Sequence, residues 1–239
     1  MSWKNSLPFF IWQTFRFSRN IPEFRQNWRN YPRWSKSFQP GRNSVNDESA
    51  WITFDGLDFL NRYLQAEHRV FEYGGGGSTL FFCKRVASVV TVEHHEAWFR
   101  TVEKILADKG YPHWQGFFCG AAPFSDERPR NISNPADFAS NAPEYAHMSF
   151  EQYARTIDAF DDESFDLILV DGRARPSCAM QAIPKLKTGG LLIFDNSERP
   201  YYLPALREIF ARQFTVELDT YAPVPYSPDF STTLILKKR

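Results

Sequence analysis

The chain has 239 residues, a length that suits one large domain or one domain with an extension. Its 28 basic and 28 acidic residues cancel, so no global field draws it to nucleic acid, and 43% hydrophobic residues are enough for a real core. Cys83, Cys119 and Cys178 are odd in number and have no CxxC spacing, which argues against a disulfide framework or a zinc site and for a reducing compartment. No run approaches the ~20 apolar residues of a membrane span. The stretch Leu7-Pro8-Phe9-Phe10-Ile11-Trp12 is too short for a signal peptide and is followed by Arg16 and Arg19, so the expected location is cytoplasmic.

Residues 1–45 differ from the rest. They carry Trp3, Trp12, Trp28 and Trp34 among Arg16, Arg19, Arg25, Arg29, Arg33 and Arg42, with Glu23 as the only acid. Interleaved aromatics and arginines fit RNA stacking or a membrane-interface helix. They equally fit an arm that packs its aromatics on the domain or on a second copy of the chain. Pro8, Pro22, Pro32 and Pro40 rule out one long amphipathic helix and favour the packed arm. Peripheral membrane contact and a homo-oligomer stay open.

From residue 46 to 239 the pattern is that of a regular domain. Trp51, Phe54, Leu57, Leu60 and Leu64 recur at helical spacing, with Asp47 or Ser49 as the expected cap. A strand is expected over 69–73. It runs into Glu72-Tyr73-Gly74-Gly75-Gly76-Gly77, with Ser78 and Thr79 opening a helix to about Val86. A turn of glycines lets backbone approach a nucleotide-like ligand closely. Thr79 stands where a dinucleotide site would have its third glycine, and no lysine follows as in a phosphate-binding loop. An anionic Glu72 suits a cationic ligand, and S-adenosylmethionine carries a sulfonium and an ammonium. A second strand over 88–93 ends in Glu93, 19 positions beyond Gly74, placed to accept hydrogen bonds from a ribose.

With both features in place, the chain resembles the class I S-adenosylmethionine-dependent methyltransferases over roughly residues 47–239. Glu72, Tyr73, Gly74, Gly75, Gly76, Ser78, Thr79 and Glu93 then form the expected cofactor set, with His94 bordering the adenosine.

A helix is expected over 96–107, ended by Gly110, and then a third strand over 115–119. The adenine should meet apolar residues just past it, among Gly120, Ala121 and Ala122. Residues 120–146 read as a proline-punctuated loop, a lid or substrate loop by its length. His147 near its end is a candidate base. A helix over 150–160 and a strand over 166–171 follow. Next come a helix over 176–186 closed by Gly189-Gly190, a strand over 191–195, a helix over 203–211, and strands over 214–218 and 232–237.

Strand–helix alternation predicts an α/β doubly wound, mostly parallel sheet. The resemblance implies seven strands with the last one antiparallel. Ligands in such sheets sit beyond the C-terminal strand ends, where Glu93, Asp171 and Asp195 lie. Asp171 on one strand and Asp195-Asn196 on the next look like the metal-dependent, catechol-type O-methyltransferases. That resemblance implies Mg²⁺ held by Asp171, Asp195 and Asn196, activating a small-molecule hydroxyl. That family has a lysine three residues after the first Asp, and here Ala174 stands there. The other reading has the two acids orient cofactor or substrate. In it Asp171 serves as general base, and Arg173 or Arg175 clamps a carboxylate or phosphate.

The expected function is therefore methyl transfer to an oxygen of a small molecule. The alternatives are a non-catalytic cofactor-binding module docked through its arm and an aminopropyltransferase-like enzyme. The latter would carry an acidic, serine-rich loop where Asp171-Gly172-Arg173-Ala174 stands.

Overall fold

The computed structural model describes residues 3–239. Seven strands form one sheet: β1 Arg69–Tyr73, β2 Ser88–Glu93, β3 Trp114–Phe118, β4 Phe165–Val170, β5 Leu186–Asp195, β6 Phe214–Ala222 and β7 Ser231–Lys238. Their spatial order is β3-β2-β1-β4-β5-β7-β6. The pairs β3–β2, β2–β1, β1–β4 and β4–β5 are parallel, and β7 runs antiparallel to both of its neighbours. The order reverses between β1 and β4, so their C-terminal ends flank the crevice where such sheets take ligands. The last strand is antiparallel, as expected.

β4 is buried from Leu167 through Val170, and β1 from Val70 through Tyr73, as continuous apolar runs covered on both faces require. One core cluster, on one face, holds Phe71, Tyr73, Phe150, Tyr153, Phe165 and Phe194. The other holds Val70, Leu80, Phe82, Leu167, Leu169 and Ile193. β5 begins at Leu186, five residues earlier than expected. Gly189 and Gly190 thus lie inside the strand, where Gly189 takes φ +80, instead of closing the preceding helix. That helix, Arg175–Lys185, leads directly into β5, and its last carbonyls accept from the Glu163 and Ser164 N–H groups.

The segment 7–37 forms three short helices, α1 Leu7–Phe17, α2 Ile21–Arg29 and α3 Tyr31–Ser37. Pro8, Pro22 and Pro32 each sit in a first turn, where the missing N–H is no loss and the fixed φ suits a helix. Asn20 caps α2 by accepting from the Glu23 N–H at 2.9 Å. Phe10 and Trp34 are fully buried in the second cluster, and the Trp34 indole donates to the Ser227 carbonyl at 2.9 Å. Phe17 stacks on Tyr221 of β6 at 4.1 Å and 7°. The inner side of the arm is thus continuous with the core.

α4, Phe54–Tyr63, is capped by Thr53 rather than by Asp47 or Ser49, because residues 43–49 turn away to cross the glycine turn. A Cβ on Gly77 would lie 2.5 Å from the Ser49 carbonyl and would also collide with that of Ser44. Among the described residues no helix is long and apolar enough to cross a membrane.

Trp34→Ala is expected to lower the unfolding free energy by about 3–5 kcal/mol, the range for truncating a buried large aromatic. It would be read as a reduced denaturant midpoint with an unchanged slope. A loss below about 0.5 kcal/mol would mean that the arm does not share the core.

Candidate active site

A cleft of about 1020 Å³ opens beyond the C-terminal ends of β1, β2, β4 and β5. One wall is the glycine turn entering α5, Gly77–Cys83. Gly74 takes φ +91, a left-handed conformation that favours glycine, and a Cβ there would stand 3.0 Å from the Asp171 carbonyl. Ser78 also faces the cleft.

Glu72 does not face the cleft. It is wholly buried, and three hydroxyls converge on it: Ser78 at 2.7 Å on one oxygen, and Thr91 at 2.7 Å and Thr79 on the other. Thr79 Oγ1 also accepts the Gly76 N–H at 3.0 Å, so one hydroxyl ties the carboxylate to the turn. Burial pushes the Glu72 carboxyl up from its ordinary 4.5 to about 7 against the pull of these hydroxyls. The expectation that Glu72 meets a cationic ligand directly is corrected: it shapes the turn from behind. Thr79 likewise stays behind the wall, and Tyr73 is buried with its hydroxyl donating to the Ala154 carbonyl at 2.7 Å.

Glu93 does face the cleft. Oε2 accepts the Gly75 N–H at 3.0 Å, and Oε1 accepts the His94 and His95 N–H groups at 2.8 Å each. Burial raises this carboxyl, but His94 and the backbone donors outweigh it, so the net shift is downward and the group is held as an anion. Oε2 keeps a lone pair free for a ligand hydroxyl. His94 lies with Nδ1 2.8 Å from Glu93 Oε1, while Nε2 accepts from Arg173 Nε at 3.2 Å.

The opposite wall holds Asp171, Arg173, Arg175, Asp195 and Asn196, as the sequence suggests, and Glu198 and Arg199 besides. Arg175 decides how the two aspartates behave. It donates to Asp171 Oδ1 at 2.9 Å, to the Gly172 carbonyl at 3.1 Å and to the Asp195 carbonyl, and it lies 3.8 Å from Asp195 Oδ2. Asp195 Oδ1 accepts from Thr233 at 2.8 Å. Burial first, then the neighbouring Asp171, pushes Asp195 up to about 8 against the pull of Arg175. Asp171 is raised too, by burial opposed by Arg175. Asn196 turns its amide onto Ser231 at 2.9 Å.

This does not fit a Mg²⁺ site. A guanidinium occupies the position between the carboxylates where a divalent ion would supply charge. Among the described residues no cluster of three or more His, Cys, Asp and Glu side chains could hold a metal ion.

Two other expectations are corrected. His147 is exposed, outside the cleft lining, because its segment pairs with Ala122-Pro123 in a two-residue ladder that turns it outward. Ala121 packs on the core, while Gly120 and Ala122 border a separate cavity of about 860 Å³, so the residues after β3 do not wall the cleft. Only the end of the long loop arrives there, where Tyr145 sets its ring 5.6 Å from His94 and beneath Arg173 at 5.5 Å. Trp51 borders the cleft, while Thr53 is buried as a cap.

Sequence reasoning missed Trp98. Its indole donates to the Gly75 carbonyl at 2.8 Å and its ring lies over Gly76. A tryptophan in the first turn of the helix after Glu93 was the available signal. It also missed Thr91, whose signal is a lone hydroxyl in a buried apolar strand, registered opposite Glu72.

The methyltransferase-domain family model matches residues 71–197, just over half the chain, and the chain belongs to that family. It is an S-adenosylmethionine-dependent methyltransferase of class I. No curated protein sequence matches. Among solved structures, SMU.1697c from Streptococcus mutans, in complex with SAH, is 16% identical over 76% of this chain and 94% of its own, with a TM-score of 0.51. A methyltransferase-like protein from Silicibacter pomeroyi is 19% identical over 76% and 84%, at 0.47. An rRNA methylase from Streptococcus thermophilus is 16% identical over 76% and 92%, at 0.47. The likeness to the first of these carries the fold alone.

Glu72→Gln gives a pH test of the buried anchor. A carboxyl raised in the folded state contributes stability that is complete below its unfolded value and lost as pH rises through the folded one. The wild type is therefore expected to lose stability between about pH 4.5 and 7, on the order of 3 kcal/mol from this group, and the variant to lack that component. Denaturant titrations across that window read it, and parallel curves for the two proteins would refute it.

Proposed function

We propose that the cleft binds S-adenosylmethionine against Gly74, Gly75, Gly76 and Ser78, with Glu93 accepting from the ribose hydroxyls and Trp98 and His94 bordering the adenosine side. The bound donor supplies an electrophilic methyl on a sulfonium. The acceptor is a small molecule whose attacking atom is oxygen, held on the side of Asp171. One observation carries the reading: a backbone wall with a free-sided anion, Glu93, and a partly exposed carboxylate, Asp171, line the same cleft.

The chain's own groups suffice for the chemistry. At neutral pH Asp195 retains its proton, since burial and Asp171 push it up to about 8. Asp171, paired with Arg175 and 26% exposed, is the carboxylate that can receive the acceptor's proton. The oxygen–methyl bond forms as the sulfur–methyl bond breaks, and the hydroxyl proton passes to Asp171. Arg175 cannot itself be the base, because guanidinium stays protonated. It holds Asp171 oriented. Arg173, a third exposed and stacked beside Tyr145, is available to clamp a carboxylate or phosphate on the acceptor. The resident guanidinium supports a metal-independent reaction.

Calorimetry with S-adenosylmethionine and its demethylated product is expected to give micromolar binding. Glu93→Ala should weaken it by about 1–3 kcal/mol, the cost of a lost charged hydrogen bond. Asp171→Asn should leave affinity within about threefold while reducing turnover by about 10²–10⁴ in an acceptor screen that reads release of the demethylated product. EDTA should leave turnover unchanged. Silence of the folded protein in calorimetry would overturn the reading. Binding with no turnover on any acceptor would favour a non-catalytic module, and EDTA-sensitive turnover restored by Mg²⁺ would refute the role given to Arg175.

A further inference from the structure

The arm has an outer side that the core does not use. Leu7, Trp12 and Phe15 of α1 and Ile21 and Trp28 of α2 are exposed, at 39–69% of their full surface. On α1 they and Ile11 occupy the arc opposite the buried Phe9, Phe10, Gln13 and Thr14. Phe15 meets Phe24 across the two helices at 4.8 Å, so the two outer faces join into one apolar surface. Large apolar surfaces rimmed by polar groups mark interaction sites.

The charge around that surface selects the occupant. Residues 1–45 hold eight Lys and Arg against the single acid Glu23, in a chain of zero net charge, so this segment carries +7 and the rest −7. Arg25 and Arg29 lie beside Ile21 and Trp28 on α2, are exposed, and have no ion pair among the described residues. The same holds for Arg16, whose guanidinium stands 5.5 Å from the Trp12 ring. Tryptophan, phenylalanine and isoleucine next to unpaired arginines is the composition of a helix face lying in a bilayer interface, with aromatic rings at headgroup depth and cations on lipid phosphates. Two arms meeting face to face across a twofold axis would bring like charges together and repel.

The geometry points to α1 and α2 as a peripheral docking surface for an anionic phospholipid bilayer. The inner side of the arm is tied to the cleft rim: Asp229 accepts from the buried Gln13 of α1 at 3.2 Å and pairs with Lys4 at 3.6 Å. The surface stands independently of the acceptor and base assigned above.

Vesicle sedimentation of the full chain tests it, with phosphatidylglycerol–phosphatidylcholine mixtures against phosphatidylcholine alone. Binding is expected to the anionic vesicles and to fall steeply with salt. Arg25→Gln with Arg29→Gln should weaken it roughly 30-fold, at about one kcal/mol per charge. Trp12→Ser with Phe15→Ser should weaken it at least roughly tenfold. Both pairs should keep the thermal midpoint and the affinity for S-adenosylmethionine, since none of the four residues lies in the core or the cleft. Equal binding to neutral and anionic vesicles, or none to either, overturns the proposal. So does a dimer in sedimentation velocity that Trp12→Ser with Phe15→Ser dissolves, or an RNA gel shift that the arginine changes abolish.

Discussion

The buried carboxylate of Glu72 is the constraint on which the binding wall rests. Four successive glycines have no side chains to fix their path, and α5 is too short to hold itself in place. Three hydroxyls, two from the start of α5 and one from β2, meet on this one group. In a low-dielectric interior such bonds are strong, and leaving any partner unmet is costly. β1, β2 and the helix are thereby clamped at the point where the chain reverses, and the wall presented to the cleft is mostly backbone. Trp98 from the front and the 43–49 segment from the side complete the clamp.

Across the cleft, electrostatics is arranged by a resident cation. Two carboxylates at neighbouring strand ends cannot both ionise cheaply in a buried site. Here one guanidinium reaches both strands, through the Asp171 carboxylate and the Asp195 backbone. Ala174 is held at φ 44 immediately before it, a left-handed conformation of the kind that clusters at functional sites. That bend starts the helix Arg175–Lys185 and sends Arg175 back between the acids. The cost of a buried charge is offset locally, and the acids keep unequal proton affinities.

The arm joins these features to the outside. Its inner aromatics complete the second core cluster, while its outer aromatics and arginines are left to solvent. One short segment therefore stabilises the sheet's antiparallel edge and carries a surface chemistry that the rest of the chain lacks. The segment following it, residues 43–49, is what closes over the glycine turn, so the arm and the ligand wall are mechanically continuous.

The sequence by itself determined the layered α/β class, the bounds of β1 and β2, the glycine turn and Glu93, because short runs of strand-forming residues, glycine and strand-end acids are local signals. It also placed Asp171, Asp195 and Asn196 at neighbouring strand ends. Direction of side chains was beyond it. Glu72 and Glu93 are both acids at the ends of buried strands. Only strand register and the hydroxyls of Thr91, Ser78 and Thr79 turned the first inward, while three backbone N–H groups fixed the second on the cleft rim. The sequence offered Arg175 as a clamp for the substrate, and only the packing of the helix Arg175–Lys185 against β4 and β5 put it between the two aspartates instead. His147 and Ala121 lay in the long loop, whose course depends on contacts with residues far away in the chain. No local pattern encodes such contacts, and the tertiary structure alone decided them.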